Sequence, residues 1–143
     1  MIQVKYILVH QDARVPQKSH DDDAGFDLFA VEEFVLHPQE YACIRTGLCL
    51  ELPSGTEAQI RPRSGLAAKH GVTVLNAPGT IDAGYRGEIQ VIMINHGKES
   101  LSIHPGMRIA QMVIKPIYDI TFTESLSLEE SSRGGGGLGS SGE

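Results

Sequence analysis

The sequence predicts an all-β fold, a barrel or a sandwich, on three observations. Short apolar segments of strand-like composition recur along the chain, and glycine and proline turns separate them. Residues 64–71 are the one segment with a convincing helical pattern. From Ser125 onward the composition changes to serine, glutamate and glycine, which cannot bury enough apolar surface to fold alone. By composition, this tail is typical of a disordered linker.

The strand pattern begins near the N-terminus and continues to residue 114. The first strand is predicted to place Ile2, Val4, Tyr6 and Leu8 on one face. Gly47 is predicted to form a bulge in the second strand. In the last strand, Pro116 and the β-rich surroundings favour a strand over a helix. We predict strands at residues 2–9, 42–52, 56–61, 72–75, 89–94 and 108–114.

Between these strands lie a polar loop at residues 14–23, turns at residues 53–55 and 104–106, and the short helix. The helix spans barely two turns. Ser64 is predicted to cap its N-terminus and Gly71 to end it.

Composition excludes several classes of function. The formal net charge of -6 argues against binding of duplex DNA by a basic face, although local arginines can still bind small anions. No apolar run approaches the roughly 20 residues of a transmembrane helix, and the N-terminus lacks a signal-peptide pattern. We therefore expect a cytoplasmic protein without nucleic-acid or membrane partners. Cys43 and Cys49 are expected to be buried thiols, neither disulfide-bonded nor metal-binding.

The segment 79–88 concentrates unusual residues between two strands. It contains three glycines together with Asp82, Tyr85 and Arg86, and the flanking strands predict a β-hairpin. One interpretation is a purely structural hairpin. The other takes Asp82, held on a rigid hairpin beside a tyrosine, as a general base.

Other chemistry-bearing patterns are absent or fragmentary. There is no Cys-x-x-Cys, and the six histidines are scattered, which argues against a zinc site. The aspartates at 21–23 fail as a calcium loop because Gly25 stands where a ligand belongs. What remains is an anion site in pieces: Arg63 and Ser64 at the helix start, and Arg133 before the glycines. Asp27, in an apolar context, needs an arginine or a hydrated metal as its partner.

Taken together, these pieces resemble the trimeric dUTP pyrophosphatase (dUTPase) family. Five motifs occur in the family order, and they span nearly the whole chain. They are Ala-Gly-Phe-Asp-Leu-Phe-Ala at 24–30, Pro-Arg-Ser-Gly-Leu-Ala at 62–67, Gly-Thr-Ile-Asp-Ala-Gly-Tyr-Arg-Gly-Glu-Ile at 79–89, Arg-Ile-Ala-Gln-Met-Val at 108–113 and Arg-Gly-Gly-Gly-Gly-Leu-Gly-Ser-Ser-Gly at 133–142.

The resemblance implies a jelly-roll-like β-barrel at residues 1–124 and a flexible C-terminal arm at residues 125–143. It implies a homotrimer in which each active site takes motifs from three subunits. It implies hydrolysis of dUTP to dUMP and pyrophosphate with Mg²⁺, which limits uracil in DNA and supplies dUMP for thymidylate synthesis. The tail that is typical of a linker then becomes a lid over the substrate.

The resemblance also implies roles for single residues. Asp82 would activate the water that attacks the α-phosphorus, and Gln111 would hold phosphates and help to place that water. Asp27 would act on the metal through a bound water. The substrate-binding residues implied are Arg63, Ser64, Gly65, Asn76, Gly79, Tyr85, Arg133, Leu138, Gly139, Ser140 and Ser141.

One residue departs from the family pattern, and two other functions compete. Leu138 stands where the family usually has an aromatic that stacks on uracil. A dCTP deaminase shares the fold but needs a glutamate at the cytosine ring. A nucleotide-binding regulatory module without catalysis would not need Asp82, Arg63, Gln111 and Arg133 together.

Overall fold

The computed structural model describes residues 1–142, and the structural statements below concern this part of the chain. Glu143, the last residue of the predicted arm, lies outside it. The described residues form ten strands and one helix. In chain order these are β1 Lys5–Leu8, β2 Phe26–Phe29, β3 Phe34–Leu36, β4 Tyr41–Glu51, β5 Thr56–Arg61, α1 Ser64–His70, β6 Val72–Val74, β7 Gly79–Asp82, β8 Glu88–Asn95, β9 Leu101–Ile103 and β10 Arg108–Pro116.

The strands form two four-stranded antiparallel sheets and one two-stranded sheet. The sheet orders are β1-β4-β8-β6, β2-β10-β5-β7 and β3-β9. One core cluster joins all three, with Ile44 and Val91 from the first sheet, Leu28 and Ile60 from the second, and Leu36 from the third. The predicted all-β, jelly-roll-like fold is confirmed, although the hydrogen-bonded strands form open sheets and no single closed ring.

Most of the predicted strands are confirmed, one differs and four strands were not predicted. β4, β5, β8 and β10 lie where strand-like segments were predicted, and Gly47 has a φ of +66° at the register shift between β4 and β8. β1 is shorter than predicted, and all four of its residues are exposed, so Tyr6 and Leu8 do not form a buried face. The strands that were not predicted are β2, β3, β7 and β9.

The helix ends as predicted but begins differently. Gly71 terminates it with a φ of +65°, and its N–H donates to the carbonyls of Ala67 and Leu66. The predicted cap at Ser64 is wrong: Arg63 holds the N-cap position, no side chain caps the helix, and Ser64 is its first residue. No helix among residues 1–142 is long and apolar enough to cross a membrane.

The segment predicted as a simple hairpin connection joins two sheets. β6 and β8 pair with each other as predicted, with Val74 opposite Met93. Between them, β7 crosses to the other sheet and pairs with β5, which sets Gly79 opposite Ile60 and Asp82 opposite Glu57. Asp82 therefore ends a strand at the sheet edge.

The predicted cysteine environment is half right. Cys49 is buried, as expected, whereas Cys43 on the outer face of β4 is exposed. Both thiols are free.

Beyond β10 the chain leaves the body of the protein. The N–H of Ile117 donates to the carbonyl of Gly55 at 3.0 Å. Among the described residues, all hydrogen bonds formed by residues 118–142 stay within that segment. Ile120, Phe122 and Leu138 are exposed there. The domain boundary at residues 124 and 125 stays a prediction.

Candidate functional site

A cleft of about 300 Å³, the arginine cleft, collects residues from three of the predicted motifs. β10 is its organising strand because it pairs with both β2 and β5. Its Gln111 lies opposite Asp27 of β2 on one side and Arg61 of β5 on the other. The chain leaves β5 directly into α1 and so delivers Arg63 and Ser64 to the same place. The cleft is lined by Ser19, His20, Asp23, Ala24, Gly25, Asp27, Arg63, Ser64, Gly65 and Gln111.

Asp27 is the electrostatic centre of the arginine cleft. Its Oδ1 lies 3.2 Å from Nε of Arg63, and its Oδ2 lies 3.1 Å from Nε of Arg108. Ser19 donates to Oδ2 at 3.2 Å. The carboxyl group is 11% exposed, so its burial depends on these partners. Of the two partners that the sequence allowed, the structure contains the arginine.

The same contacts leave limited room for a metal. A carboxylate offers about four acceptor positions. Ser19 occupies one of those on Asp27 by a hydrogen bond, and Nε of Arg63 and Nε of Arg108 lie within ion-pair distance of its two oxygens. Among residues 1–142, no three histidine, cysteine or acidic side chains are grouped to hold a metal ion. The donor set therefore fits a magnesium ion that a polyphosphate carries, approached by Asp27 through one bound water.

Gln111 and Ser64 are available to a ligand in the arginine cleft. The Nε2 of Gln111 donates one hydrogen bond to the carbonyl of Pro62 at 3.0 Å, which leaves its second N–H free. A Cβ on Gly25 would lie 3.2 Å from Cδ of Gln111, so a larger residue there would push the amide of Gln111 aside. Ser64 is exposed, and within residues 1–142 its hydroxyl forms no hydrogen bond.

A second cleft of about 160 Å³, the hairpin cleft, lies between β7 and the start of β8. It is lined by Thr80, Ile81, Asp82, Tyr85, Glu88, Ile89 and Gln90. Asp82 is exposed there, and its carboxylate has no ion pair or hydrogen bond with another residue of the described chain. A free carboxylate at the end of a paired strand can accept a proton without first losing a partner.

Tyr85 is fixed beside Asp82. Its hydroxyl donates to the carbonyl of Glu88 at 3.0 Å, and its ring covers Gly87. A Cβ on Gly87 would lie 2.6 Å from Cζ of that ring, so any larger residue would displace it.

Glu88 anchors the far end of the hairpin cleft to the sheet. Its carboxylate accepts from Nε of Arg45 at 3.1 Å and from the N–H of Gly47 at 2.8 Å. The hydrogen bonds to Glu88 raise the pKa of the Arg45 guanidinium above its usual value. The bulge at Gly47 turns that N–H toward Glu88, so the irregularity in β4 helps to hold Tyr85.

Asn76 and Gly79 lie together just before the hairpin cleft. Gly79 is buried, and a Cβ there would lie 3.2 Å from Nδ2 of Asn76. They place main chain beside the cleft, but they are not among the residues that line it.

The two clefts lie at opposite ends of β5. Asp82 is opposite Glu57, whereas Gln111 is opposite Arg61, four residues further along. At about 3.3 Å per residue this separates them by roughly 13 Å, and Arg63 lies further still. Arg133, Leu138, Gly139, Ser140 and Ser141 belong to the arm and line neither cleft. A single chain thus divides the predicted site residues into three groups.

Sequence reasoning assigned no function to three residues that shape the clefts. Arg108 holds Asp27, and Arg45 with Glu88 supports Tyr85. Arg108 and Glu88 stand within recognised motifs, which was an available signal. Arg45 carries no such signal, because its partner is 43 residues away in sequence.

Comparisons with known proteins identify the family of this chain. Residues 11–142 match the dUTPase family model. Deoxyuridine 5'-triphosphate nucleotidohydrolase of Clostridium tetani is 58% identical over 98% of this chain and 97% of its own length. The Clostridioides difficile protein of the same name is 55% identical over 99% of both chains.

Solved structures give the same result. The dUTPase of Staphylococcus bacteriophage 80alpha, in a mutant form with dUpNHpp, has a TM-score of 0.91 and 31% identity over 99% of both chains. A mutant dUTPase from phage phi11 of S. aureus, described with a coordinated structural Mg(II) ion, has a TM-score of 0.83 and 27% identity, covering 90% of this chain and 99% of its own.

Proposed function

Because this chain belongs to the dUTPase family and is a dUTP diphosphatase, we propose that water attacks the α-phosphorus of dUTP and releases dUMP and pyrophosphate. The observation that carries the proposal is the free carboxylate of Asp82 in a cleft that Tyr85 borders. The reaction limits uracil in DNA and supplies dUMP for thymidylate synthesis. A cytoplasmic location, without nucleic-acid or membrane partners, is part of the proposal.

Asp82 is the general base. It accepts a proton from the attacking water while the water oxygen bonds to phosphorus and the pyrophosphate oxygen leaves. None of the residues that line the hairpin cleft is a histidine or a lysine, so Asp82 has no rival from those side chains. Gln111, with one N–H free, helps to place the water and a phosphate oxygen.

The nucleoside lies against the hairpin. The Tyr85 ring packs under the deoxyribose, where a 2′-hydroxyl would collide with it. The main chain at Asn76 and Gly79 pairs with the uracil edge.

The phosphates lie in the arginine cleft. Arg63 has Nε beside Asp27 and donates from Nη1 to the carbonyl of Arg108 at 3.5 Å, so its remaining N–H groups, including both on Nη2, can bind phosphate oxygens. The free hydroxyl of Ser64 and the exposed main chain at Gly65 add uncharged hydrogen-bond donors. Magnesium neutralises charge on the phosphate oxygens when it is bound. Asp27 would hold the ion through a bound water.

The arm closes over the phosphates. The Nε of Arg133 donates to the carbonyl of Gly136 at 2.8 Å, which bends the glycine segment back on the arginine. Arg133, the main chain at Gly139, Ser140 and Ser141 supply the donors, while Leu138 covers the uracil. Closure excludes water other than the nucleophile.

The site is completed by other copies of the chain in a homotrimer. The separation of the clefts along β5 supports this, because no single chain presents Asp82 and Arg63 to one nucleotide. The free arm supports it as well, since its exposed Phe122 and Leu138 find no cover on their own chain.

The competing functions have less support. A dCTP deaminase needs a glutamate that moves protons at the base, and the glutamate in the hairpin cleft, Glu88, is bound by Arg45 and Gly47. A regulatory module without catalysis would leave the free Asp82 unexplained. Pyrophosphate release from dUTP, measured together with ammonia release from dCTP, separates the three: the proposed enzyme gives the first, a deaminase gives the second, and a regulatory module gives neither.

We expect strong discrimination among pyrimidine nucleotides. Uracil presents a donor at N3 where cytosine presents an acceptor, and a rigid main-chain edge cannot satisfy both. The mismatch leaves buried polar groups unpaired, which can lower kcat/KM by as much as ~10⁴-fold. The thymine methyl would meet the hairpin, so dTTP should also be poor. Comparable kcat/KM for dUTP and dTTP in steady-state assays would contradict this.

Deleting residues 133–143 should greatly reduce kcat/KM for dUTP, because the arm's charge and its exclusion of water are both lost. Loss of such preorganised donors lowers the rate by about 10²–10³-fold.

In contrast, Leu138→Phe should improve KM or kcat/KM several-fold at most, since stacking adds about 0.5–1.5 kcal/mol beyond area burial. Leu128→Phe, also on an exposed arm residue, is the control and should change neither. If deletion of residues 133–143 left kcat/KM unchanged, the arm would be a linker without a part in catalysis.

A further inference from the structure

A histidine and an aspartate at the rim of the arginine cleft have no role in the function described above. His20 and Asp23 line the cleft together with Arg63, Ser64 and Gln111. Both belong to the polar loop before β2, the loop whose Ser19 hydroxyl already binds Asp27. The His20 side chain is 83% exposed, so its ring is accessible to a ligand in the cleft.

Asp23 determines which ring nitrogen of His20 faces the ligand. One oxygen of Asp23, Oδ2, accepts the main-chain N–H of His20 at 2.8 Å and lies 3.3 Å from Nδ1 of its ring. The main-chain hydrogen bond holds the pKa of Asp23 below its usual value, so this side chain is an anion at neutral pH. An anion next to Nδ1 makes Nδ1 the nitrogen that carries the proton. Nε2 is therefore a bare acceptor in the neutral ring and a donor only in the imidazolium.

Among the cations of the cleft, the His20 ring is the one whose charge depends on whether it is protonated. Asp21, Asp22 and Lys18 belong to its own loop, where Nζ of Lys18 donates to the carbonyl of Asp21. On the facing elements, Asp27 is neutralised by Arg63 and Arg108, which are permanently charged. A bound polyphosphate brings several negative charges to this cleft, and each favours the protonated ring.

We infer that His20, oriented by Asp23, is a proton-dependent contact for the phosphates of the substrate. The inference rests on the proposed position of the phosphates in the arginine cleft. The protonated ring donates from Nε2 to a phosphate oxygen. In the neutral ring, Nε2 and the oxygen are both acceptors and the contact is lost. Phosphate affinity thus falls with rising pH as the ring loses its proton.

The test is the pH dependence of KM for dUTP, with magnesium, between pH 5.5 and 8.5. Over this range the KM of the unmodified chain should rise about three- to tenfold more than that of His20→Gln, with similar kcat for both. The variant also corrects for titration of the phosphates themselves. His70→Gln, on an exposed histidine of α1, is the matched control and should keep the full rise.

Two further measurements make the outcome decisive. Asp23→Asn keeps His20 but removes its anion, so the rise in KM should move to lower pH. The Kd of pyrophosphate, measured by calorimetry, should follow the same pH dependence as KM, and this readout requires no turnover. Parallel pH profiles for the unmodified chain and His20→Gln, or an effect on melting temperature alone, would overturn the inference. Failure of dUTP hydrolysis with an intact pyrophosphate response would instead overturn the proposed reaction.

Discussion

Asp82→Asn should lower kcat for dUTP by roughly 10²–10⁴, the usual contribution of a general base. Asparagine has nearly the same shape but cannot accept a proton from water. Asp82 forms no ion pair within residues 1–142, so its loss leaves no buried charge unpaired and the fold should survive. KM and the affinity for a non-hydrolysable analogue should change little, because the phosphates and the uracil are bound by other residues.

Glu57→Gln is the matched control for this variant. Glu57 is the acid directly opposite Asp82 in the pairing of β5 with β7, and its carboxylate accepts from Gln59. If loss of any negative charge at this sheet edge slowed the reaction, both variants would lose activity. The proposal requires a large loss for Asp82→Asn and near-normal turnover for Glu57→Gln. Near-normal turnover of Asp82→Asn would show that another group activates the water.

Local sequence patterns predicted the parts of the fold that are determined by residues close together in the chain. Strand-like composition between turns gave β5, and Pro116 with its β-rich surroundings gave β10. The positive φ of Gly47 and Gly71 follows from the position of each glycine in its element. β7 escaped prediction because its residues, Gly79–Asp82, choose their partner across the molecule. The sequence within four residues of β7 contains no signal that this strand pairs with β5 and not with the strands next to it in the chain.

The candidate site shows the same division. The resemblance supplied the residues, and the sequence supplied the reason that Asp27 needs a partner. The sequence could not show which of these residues lie together in the fold. Arg63 and Arg108 meet on Asp27 only because β10 pairs with β2 while β5 leads into α1. The Ser64 cap failed for a related reason, since one residue of helix register decides whether a hydroxyl caps the helix or faces the cleft.

The separation of the two clefts has a consequence for mixtures of inactive variants. Asp82→Asn removes the proposed base from the hairpin cleft, and Arg63→Ala removes a proposed phosphate ligand from the arginine cleft. In Arg63→Ala, Asp27 keeps Arg108 and Ser19, so its buried carboxylate stays paired. If each active site takes its hairpin from one copy and its arginine cleft from another, a site built from the two variants can be intact.

Mixing the two variants should therefore restore activity that neither has alone. After unfolding and joint refolding in equal amounts, half of the hairpins and half of the arginine clefts are intact, so roughly a quarter of the sites combine both. Turnover of dUTP should rise from a small residue to roughly a quarter of that of the unmodified chain. Mixing without unfolding is the control and should restore little, because in the proposed homotrimer each trimer assembled before mixing carries one defect throughout. If the two clefts of one chain served one site, every site would keep a defect, and refolded mixtures would stay as inactive as the separate variants.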